Sequence, residues 1–343
     1  MWTIKNGGKP LFPENTRTIT KKCTQTARRQ AVIHQPKTII FQNQIRSSNI
    51  MKVLVTGAKG QLGHDCVNEL EKRNHEAIGV DIQEMDITDS ASVEKVIKEI
   101  HPDAVIHCAA WTAVDAAEDE DKKAKVLAIN AVGTENIAKV CKELGCKMMY
   151  ISTDYVFDGQ GSEPWQPDCK DYKPLNVYGE TKLAGELAVS GNLDNYFIVR
   201  IAWVFGKNGN NFIKTMINLG KNHDTIRVVS DQVGTPTYTY DLSRLLIDMI
   251  ETDKYGYYHA TNEGGYISWY DFTTEIFRQA AAAGHEEYAK ISVIPVTTTE
   301  YGASKAKRPF NSRLDKSKLT ENGFALLPSW QDAVARYLKE LEF

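Results

Sequence analysis

The 343 residues predict a doubly wound α/β fold, and three features carry that expectation. Short apolar runs alternate with stretches of helical period, the first strand-to-helix turn is rich in glycine, and an acid closes the second strand. Such alternation implies βαβ units wound into a parallel sheet with helices on both faces. The strand candidates are Lys52–Thr56, Glu76–Asp81, Asp103–Ala109, Lys147–Ser152 and Tyr196–Phe205, with helical patterns at Ser90–Ile100 and Ala124–Leu144. Further on, Asn211–Leu219, Ser268–Ala283 and Ser329–Leu341 are amphipathic, and the first two are expected to build a smaller C-terminal lobe over a cleft.

The first βα turn reads Thr56-Gly57-Ala58-Lys59-Gly60-Gln61-Leu62-Gly63. Gly57 permits a tight turn off the strand, Gly60 lets the backbone approach a pyrophosphate, and Gly63 lets the helix pack closely, while the helix start offers free amides to phosphate. The spacing is G-x-x-G-x-x-G. Asp81, 18 residues beyond Gly63, is placed to accept hydrogen bonds from the adenosine ribose. Together these features read as a Rossmann-like dinucleotide site. A carboxylate at that ribose disfavours a 2′-phosphate and so favours NADH over NADPH, a preference that Lys59 or Lys52 could soften.

Composition bounds the rest. One residue in four is charged and mean hydropathy is −0.38, as in a water-soluble globular chain. No apolar run approaches the roughly 20 residues a membrane span needs. The six cysteines (Cys23, Cys66, Cys108, Cys141, Cys146, Cys169) lack C-x-x-C spacing and several lie in apolar runs, which reads as reduced thiols in a cytoplasmic protein. The eight histidines form no metal-binding spacing, so no metal ligand is assigned.

Residues 1–50 hold nine Lys or Arg against the single acid Glu14 and show no sustained periodicity, which reads as a disordered basic leader. A transit peptide, a nucleic-acid tail and a non-native extension ahead of a true start at Met51 compete to explain it. The last is favoured because a strand follows Met51 at once. The remainder carries −11 and clusters no basic patch, which argues against nucleic-acid binding.

Tyr178 and Lys182 stand four apart in Tyr178-Gly179-Glu180-Thr181-Lys182, so on a helix both side chains point into one small volume. A phenol ordinarily titrates near 10, and an adjacent ammonium favours its phenolate. Downstream of a dinucleotide loop, the pair reads as a proton-delivery device.

At this point the residues resemble a known family. The TGxxGxxG loop, the strand-end Ser152-Thr153 and the Y-x-x-x-K pair resemble the extended short-chain dehydrogenase/reductases. Within that superfamily, the runs at Val55–Gly63, Ala109–Glu118, Ser152–Gly159, Tyr178–Glu186 and Asp231–Leu242, and the segment from Ile129, resemble the dTDP-4-dehydrorhamnose reductases from Met51 onward. The resemblance implies NADH- or NADPH-dependent reduction of the C4 ketone of a dTDP-linked 4-keto-6-deoxyhexose. Tyr178 would be the acid, Lys182 would lower its pKa and hold the nicotinamide ribose, and Thr153 would polarise the carbonyl. Gly57, Gly60, Gln61, Leu62, Gly63, Asp81, Asp86, Ile87, Ala110, Trp111 and Thr112 would line the cofactor. Thr153, Asp154, Tyr155 and Trp203 would contact substrate, although packing beneath the sheet explains Trp203 equally well. Many relatives carry histidine where Trp111 stands. Some relatives dimerise around magnesium held by carboxylates, so a homodimer and a magnesium ion are implied without assigned ligands. Asn130 is expected to brace the active-site helix or a proton-relay water.

The domain organisation that follows is the leader over 1–50, an NAD(P)-binding domain with the catalytic helix over 51–205, and a mainly substrate-binding lobe over 206–343, with 225–262 returning to the main sheet. The Asp231–Pro236 loop is expected near the nucleotide. Lys307-Arg308 is either a diphosphate contact or a solvated basic turn. Asp154-Tyr155 stands where dehydratases of this superfamily carry Asp-Glu, which disfavours water elimination. A 4-epimerase, which keeps its cofactor bound, remains an alternative. So does a non-catalytic regulatory subunit resembling the methionine adenosyltransferase beta subunit.

Overall fold

In the computed structural model of the chain, residues 50–341 are described, so the leader expected over 1–50 lies almost wholly outside them. The fold starts from β1 (Lys52–Thr56), whose KVLVT run is buried from Val53 onward. It leads through the glycine turn into α1 (Gln61–Lys72), β2 (Glu76–Val80), α2 (Ser90–Ile100) and β3 (Ala104–His107). A long helical stretch follows: α3 (Glu120–Leu127), a π-helical turn (Ala128–Val132) and α4 (Gly133–Leu144). Then come β4 (Lys147–Thr153), α5 (Val177–Asn192) and β5 (Tyr196–Ile201).

These strands form one sheet in the order β2-β1-β3-β4-β5, every neighbouring pair parallel. Alternate residues of β1 serve opposite faces. Val53 and Val55 join the core under α1, while Leu54 joins the core under α2, α4 and α5. Strand order reverses between β2 and β3 on either side of β1, and at such a switch point a crevice opens at the carboxyl ends of the strands.

Two expectations about strands are corrected. The strand expected over Tyr196–Phe205 stops at Ile201, because Trp203 adopts a left-handed backbone (φ 52°) that ends the ladder. The next two residues form β6 (Val204–Phe205), beyond which lie α6 (Phe212–Gly220), β7 (Thr225–Val229), β8 (Val233–Gly234) and β9 (Thr237–Tyr238). β6 pairs with β9, and β7 pairs with Ser292–Val296 in a separate two-stranded sheet rather than with the central one. In the rest of the 225–262 segment, α7 (Thr239–Ile250) covers the sheet face shared with α1, and β10 (Gly256–His259) extends the central sheet beside β5.

A third hydrophobic cluster joins α6, Phe205, Tyr238, the helix Trp330–Leu338 and α8 (Trp269–Ala282). The described residues nevertheless fall in one compact unit. Among them, no helix is long and apolar enough to cross a membrane.

Candidate active site

A cleft of about 890 Å³ opens at the carboxyl ends of β1, β2 and β4. Its floor is the glycine turn. Gly57 has φ +67°, and a Cβ there would lie 2.8 Å from the Ala109 amide nitrogen. A Cβ on Gly63 would lie 2.2 Å from the Gly57 carbonyl, so only glycine lets α1 pack this closely on the turn. Gly60 caps α1 without any side-chain hydrogen bond, leaving the first-turn amides of the helix for a ligand. Backbone this near the cleft, with free amides, fits a dinucleotide diphosphate. Gly57, Gly60, Gln61 and Leu62 line the cleft, while Gly63 lies behind them.

Asp81 lines the same wall, its Oδ2 accepting the Lys59 amide at 2.7 Å. Of the two lysines that could soften its preference, Lys59 lies beside Glu84 (3.5 Å), and Lys52 is committed to Glu76 and the Ile100 carbonyl. Asp86 and Ile87 also line the cleft, as do Ala110 and Thr112. Trp111 does not. Its backbone amide donates to Asn130 Oδ1 (2.8 Å) and its carbonyl accepts from Asn130 Nδ2 (3.2 Å), while the indole nitrogen donates to the Ala113 carbonyl (3.1 Å). Asn130 also donates to Thr181 Oγ1 of α5 (3.1 Å), so this amide, set in the π-turn, ties the 110–112 loop to the helix bearing Tyr178.

That helix begins at a well-defined point. The Asn176 side chain accepts the Gly179 amide (2.8 Å), Glu118 accepts the Val177 amide (2.8 Å), and a Cβ on Gly179 would meet the Tyr155 carbonyl at 2.4 Å. Tyr178 and Lys182 therefore face the cleft together. The Tyr155 ring meets Tyr178 edge-on, with centroids 5.5 Å apart. Lys182 Nζ donates to the Ile151 carbonyl at 2.7 Å.

The electrostatics differ from expectation in sign. Burial pushes the Tyr178 phenol above its usual value, a hydrogen bond with Thr153 works against that, and the lowering expected from Lys182 does not govern it. Burial also pulls Lys182 down to about 7, with Glu186 the chief opposing charge. The Asp154 carboxyl is raised to about 6, again by burial. Thr153 donates to Asp154 Oδ1 (3.0 Å), and it and the nearby Ser312 hydroxyl work against the rise, whereas Oδ2 is buried with no partner at full hydrogen-bond geometry. Burial thus holds Tyr178, Lys182 and Asp154 each toward its neutral form.

Glu186, one turn past Lys182, accepts from Ser152 Oγ (2.5 Å) and from Arg200 through both oxygens (2.8 Å each); both charged side chains are fully buried. Trp203 lines the cleft and stacks on Trp269, with ring centroids 3.7 Å apart and planes at 17°. A left-handed backbone on so bulky a residue is strained, and strain of this kind gathers at functional sites.

Sequence reasoning missed Trp269, Glu186, Arg200 and His107. The capping box Ser268/Asp271 was a readable signal for Trp269, since it fixes that residue at the first position of α8. The Asp231–Pro236 loop does not line the cleft. Asp231 caps Thr298 (2.9 Å from its amide), and Gln232 accepts from the Trp269 indole (3.3 Å). Of the pair Lys307-Arg308, Lys307 is exposed, while Arg308 is half-buried and held by both oxygens of Asp115 (3.1 and 2.8 Å). Among the described residues, no three His, Cys, Asp or Glu gather as a metal site, so the implied magnesium acquires no ligands.

Comparison with known proteins follows the same lines. The family model of the RmlD substrate binding domain matches residues 51–343. A dTDP-4-dehydrorhamnose reductase of Aggregatibacter actinomycetemcomitans is 39% identical over 291 residues, 82% of this chain and 97% of that protein. The spore coat polysaccharide biosynthesis protein SpsK of Bacillus subtilis (strain 168) is 37% identical over 290 residues, 84% of this chain and 97% of its own length. A crystal structure of dTDP-4-dehydrorhamnose reductase from Bacillus anthracis str. Ames, in complex with NADP, matches with a TM-score of 0.78 at 41% identity, covering 85% of this chain and 99% of that one. With a family model spanning the whole described fold and relatives near 40% identity along nearly their full length, the chain belongs to the RmlD substrate binding domain family.

Proposed function

We propose that this protein reduces the C4 ketone of dTDP-4-dehydro-L-rhamnose with NADH or NADPH, giving dTDP-L-rhamnose for polysaccharide synthesis. The observation that carries the reading is one cleft joining a glycine cradle to a half-buried Tyr178 and a buried Lys182 and Thr153, with an unpartnered Asp154 oxygen beside them. Gly57, Gly60, Gln61 and Leu62 would hold the diphosphate, Asp81 the adenosine ribose, and Ala110 and Thr112 the nicotinamide end. The bound nicotinamide would supply a hydride to C4.

The chain's own residues manage the proton. A phenol raised by burial keeps its hydrogen at neutral pH, which suits Tyr178 to protonate the C4 alkoxide as an acid. The Lys182 ammonium would stabilise the phenolate left behind. Thr153 donates a hydrogen bond to Asp154, so polarising the ketone would require that hydroxyl to turn to the ketone oxygen. Asp154 Oδ2 would then accept a sugar hydroxyl, which removes the cost of a bare buried carboxylate oxygen. Trp203 would pack against the deoxysugar.

A coupled assay supplying dTDP-4-dehydro-L-rhamnose, with NADH and NADPH followed separately at 340 nm, tests the proposal. Oxidation of neither nucleotide, by protein that still binds one of them, would sink it.

A further inference from the structure

Lys182 must carry its positive charge while being 97% buried, a setting that favours the neutral amine. The nearest counter-charge is Glu186, which opposes the pull of burial but shares both carboxylate oxygens with Arg200 at 2.8 Å and so is not dedicated to Lys182. The remaining partner is an aromatic face. Lys182 Nζ lies 4.1 Å from the centroid of the fully buried Tyr150 ring, and its one described hydrogen bond runs to the Ile151 carbonyl. The Tyr150 hydroxyl donates back toward the Lys182 carbonyl (3.2 Å) and the Asn130 carbonyl (3.5 Å), which fixes the ring's tilt.

His107 stacks near the same ring, with centroids 5.7 Å apart and planes at 28°. Its tautomer follows from the chain of bonds around it. Thr134 gives its single hydroxyl proton to the Asn130 carbonyl (2.8 Å), so it accepts from His107 Nε2 (3.0 Å), and His107 Nδ1 accepts from Thr56 Oγ1 (2.7 Å). The imidazole is neutral, in keeping with a pKa pulled down to about 3 by burial. Tyr150 therefore packs against one cation and one neutral ring, and among the described residues no second cation lies over its face.

Resting on the reductase reading above, we propose that Tyr150 is a positioning residue whose ring face, stacked against neutral His107, keeps the Lys182 ammonium charged and in place beneath Tyr178. The groups facing Lys182 are Glu186 on its own helix, Tyr150 from β4, His107 at the end of β3 with Cys108 just after it, and Arg200 from β5 through Glu186, while Tyr178 and Asp154 line the same cleft. Of these, Asp154 titrates near 6, on the acid side of neutrality, while burial moves Tyr178 to more alkaline values. Lys182, pulled down to about 7, sets a limb near neutrality. Because the protonated amine is the working form, the rate falls as pH rises through its pKa.

The test places Phe and then progressively fluorinated phenylalanines at position 150. Fluorination drains the ring's quadrupole at nearly constant shape, so folding is preserved where Tyr150→Leu might collapse the core. Two readouts are followed against pH, kcat in the coupled assay and NADH affinity by its fluorescence. Tyr150→Phe is expected to leave the alkaline limb in place. The fluorinated series should move it stepwise to lower pH, by about one pH unit at full fluorination, the size of a desolvated cation–π contact. A limb that stays put across the series overturns the proposal. Protein that binds NADH but never turns over the dTDP-sugar refutes the reductase reading instead, and the NADH-affinity limb still decides the role of Tyr150.

Discussion

Along one wall of the cleft, from Gly57 to Asp81, the surface rests on main-chain atoms. Two glycines bring backbone to within contact of backbone, the first turn of α1 offers uncapped amides, and Asp81 itself is held by the Lys59 amide. Along the facing wall it rests on side chains that are costly to keep where they are. Asp154 has a bare buried oxygen, Trp203 a left-handed backbone, and Trp269 depends on Gln232 for its indole partner. A wall of main chain suits a ligand common to many enzymes. A wall of strained side chains suits a ligand particular to one, because strain of this kind is relieved only by the matching shape.

The comparison breaks first at the residue standing between the walls. Tyr178→Phe should lower kcat by about 10³-fold with NADH affinity nearly unchanged, since a proton is lost and little surface. Single-turnover kinetics showing a loss of only a few fold would move the acid elsewhere. On the main-chain wall, Gly63→Ala should weaken NADH and NADPH alike by about two orders of magnitude, the equivalent of about 3 kcal/mol of overpacking, because its Cβ would press on the Gly57 carbonyl. Fluorescence titration reads it; an unchanged Kd would mean the turn is not the cradle. On the side-chain wall, Trp269→Ala should raise the KM for the sugar nucleotide about tenfold, ~1.4 kcal/mol, without touching cofactor affinity. A matching loss of NADH binding would erase the distinction between the walls.

The smallest effect concerns pH. An acid whose pKa rises from 3.8 to about 6 on folding stabilises the fold fully below about pH 4 and loses that contribution as pH climbs through 6. Keeping Asp154 ionised at pH 8 thus costs about 3 kcal/mol. Asp154→Asn should match the parent's melting temperature at pH 4 and exceed it by several degrees at pH 8. Parallel melting curves at both values would show the carboxylate to be solvated after all.

Much of the main-chain wall was legible in the sequence, because glycine spacing, strand alternation and a strand-end acid are local signals. The helix at Ser90–Ile100 appears with the bounds its periodicity predicts, and Lys52–Thr56 likewise. The side-chain wall was only half legible. Thr153, Asp154 and Tyr178 announce themselves by motif, but Trp269 reaches the cleft from 66 positions beyond Trp203, and no local pattern predicts that stacking. The break after Ile201 was hidden for a related reason. An unbroken apolar run reads as one strand, and nothing in Ala202-Trp203-Val204 betrays a positive φ imposed by tertiary contacts. The sign of the Tyr178 shift was missed because helical spacing reports neighbours and says nothing about how much water has been excluded.

The ion pair between Glu186 and Arg200 bears on how faithfully the catalytic helix is set. A helix slipping by one residue advances about 1.5 Å and turns roughly 100°. For α5, such a slip would strand two bare charges in the core, an error costing about 3–5 kcal/mol. An apolar pair of equal volume would hold the helix as firmly while tolerating several seatings. With Ser152, neighbour to Thr153, bonded to the same carboxylate, this salt bridge works as a registration pin, fixing which face of α5 meets the substrate rather than how tightly the protein is folded.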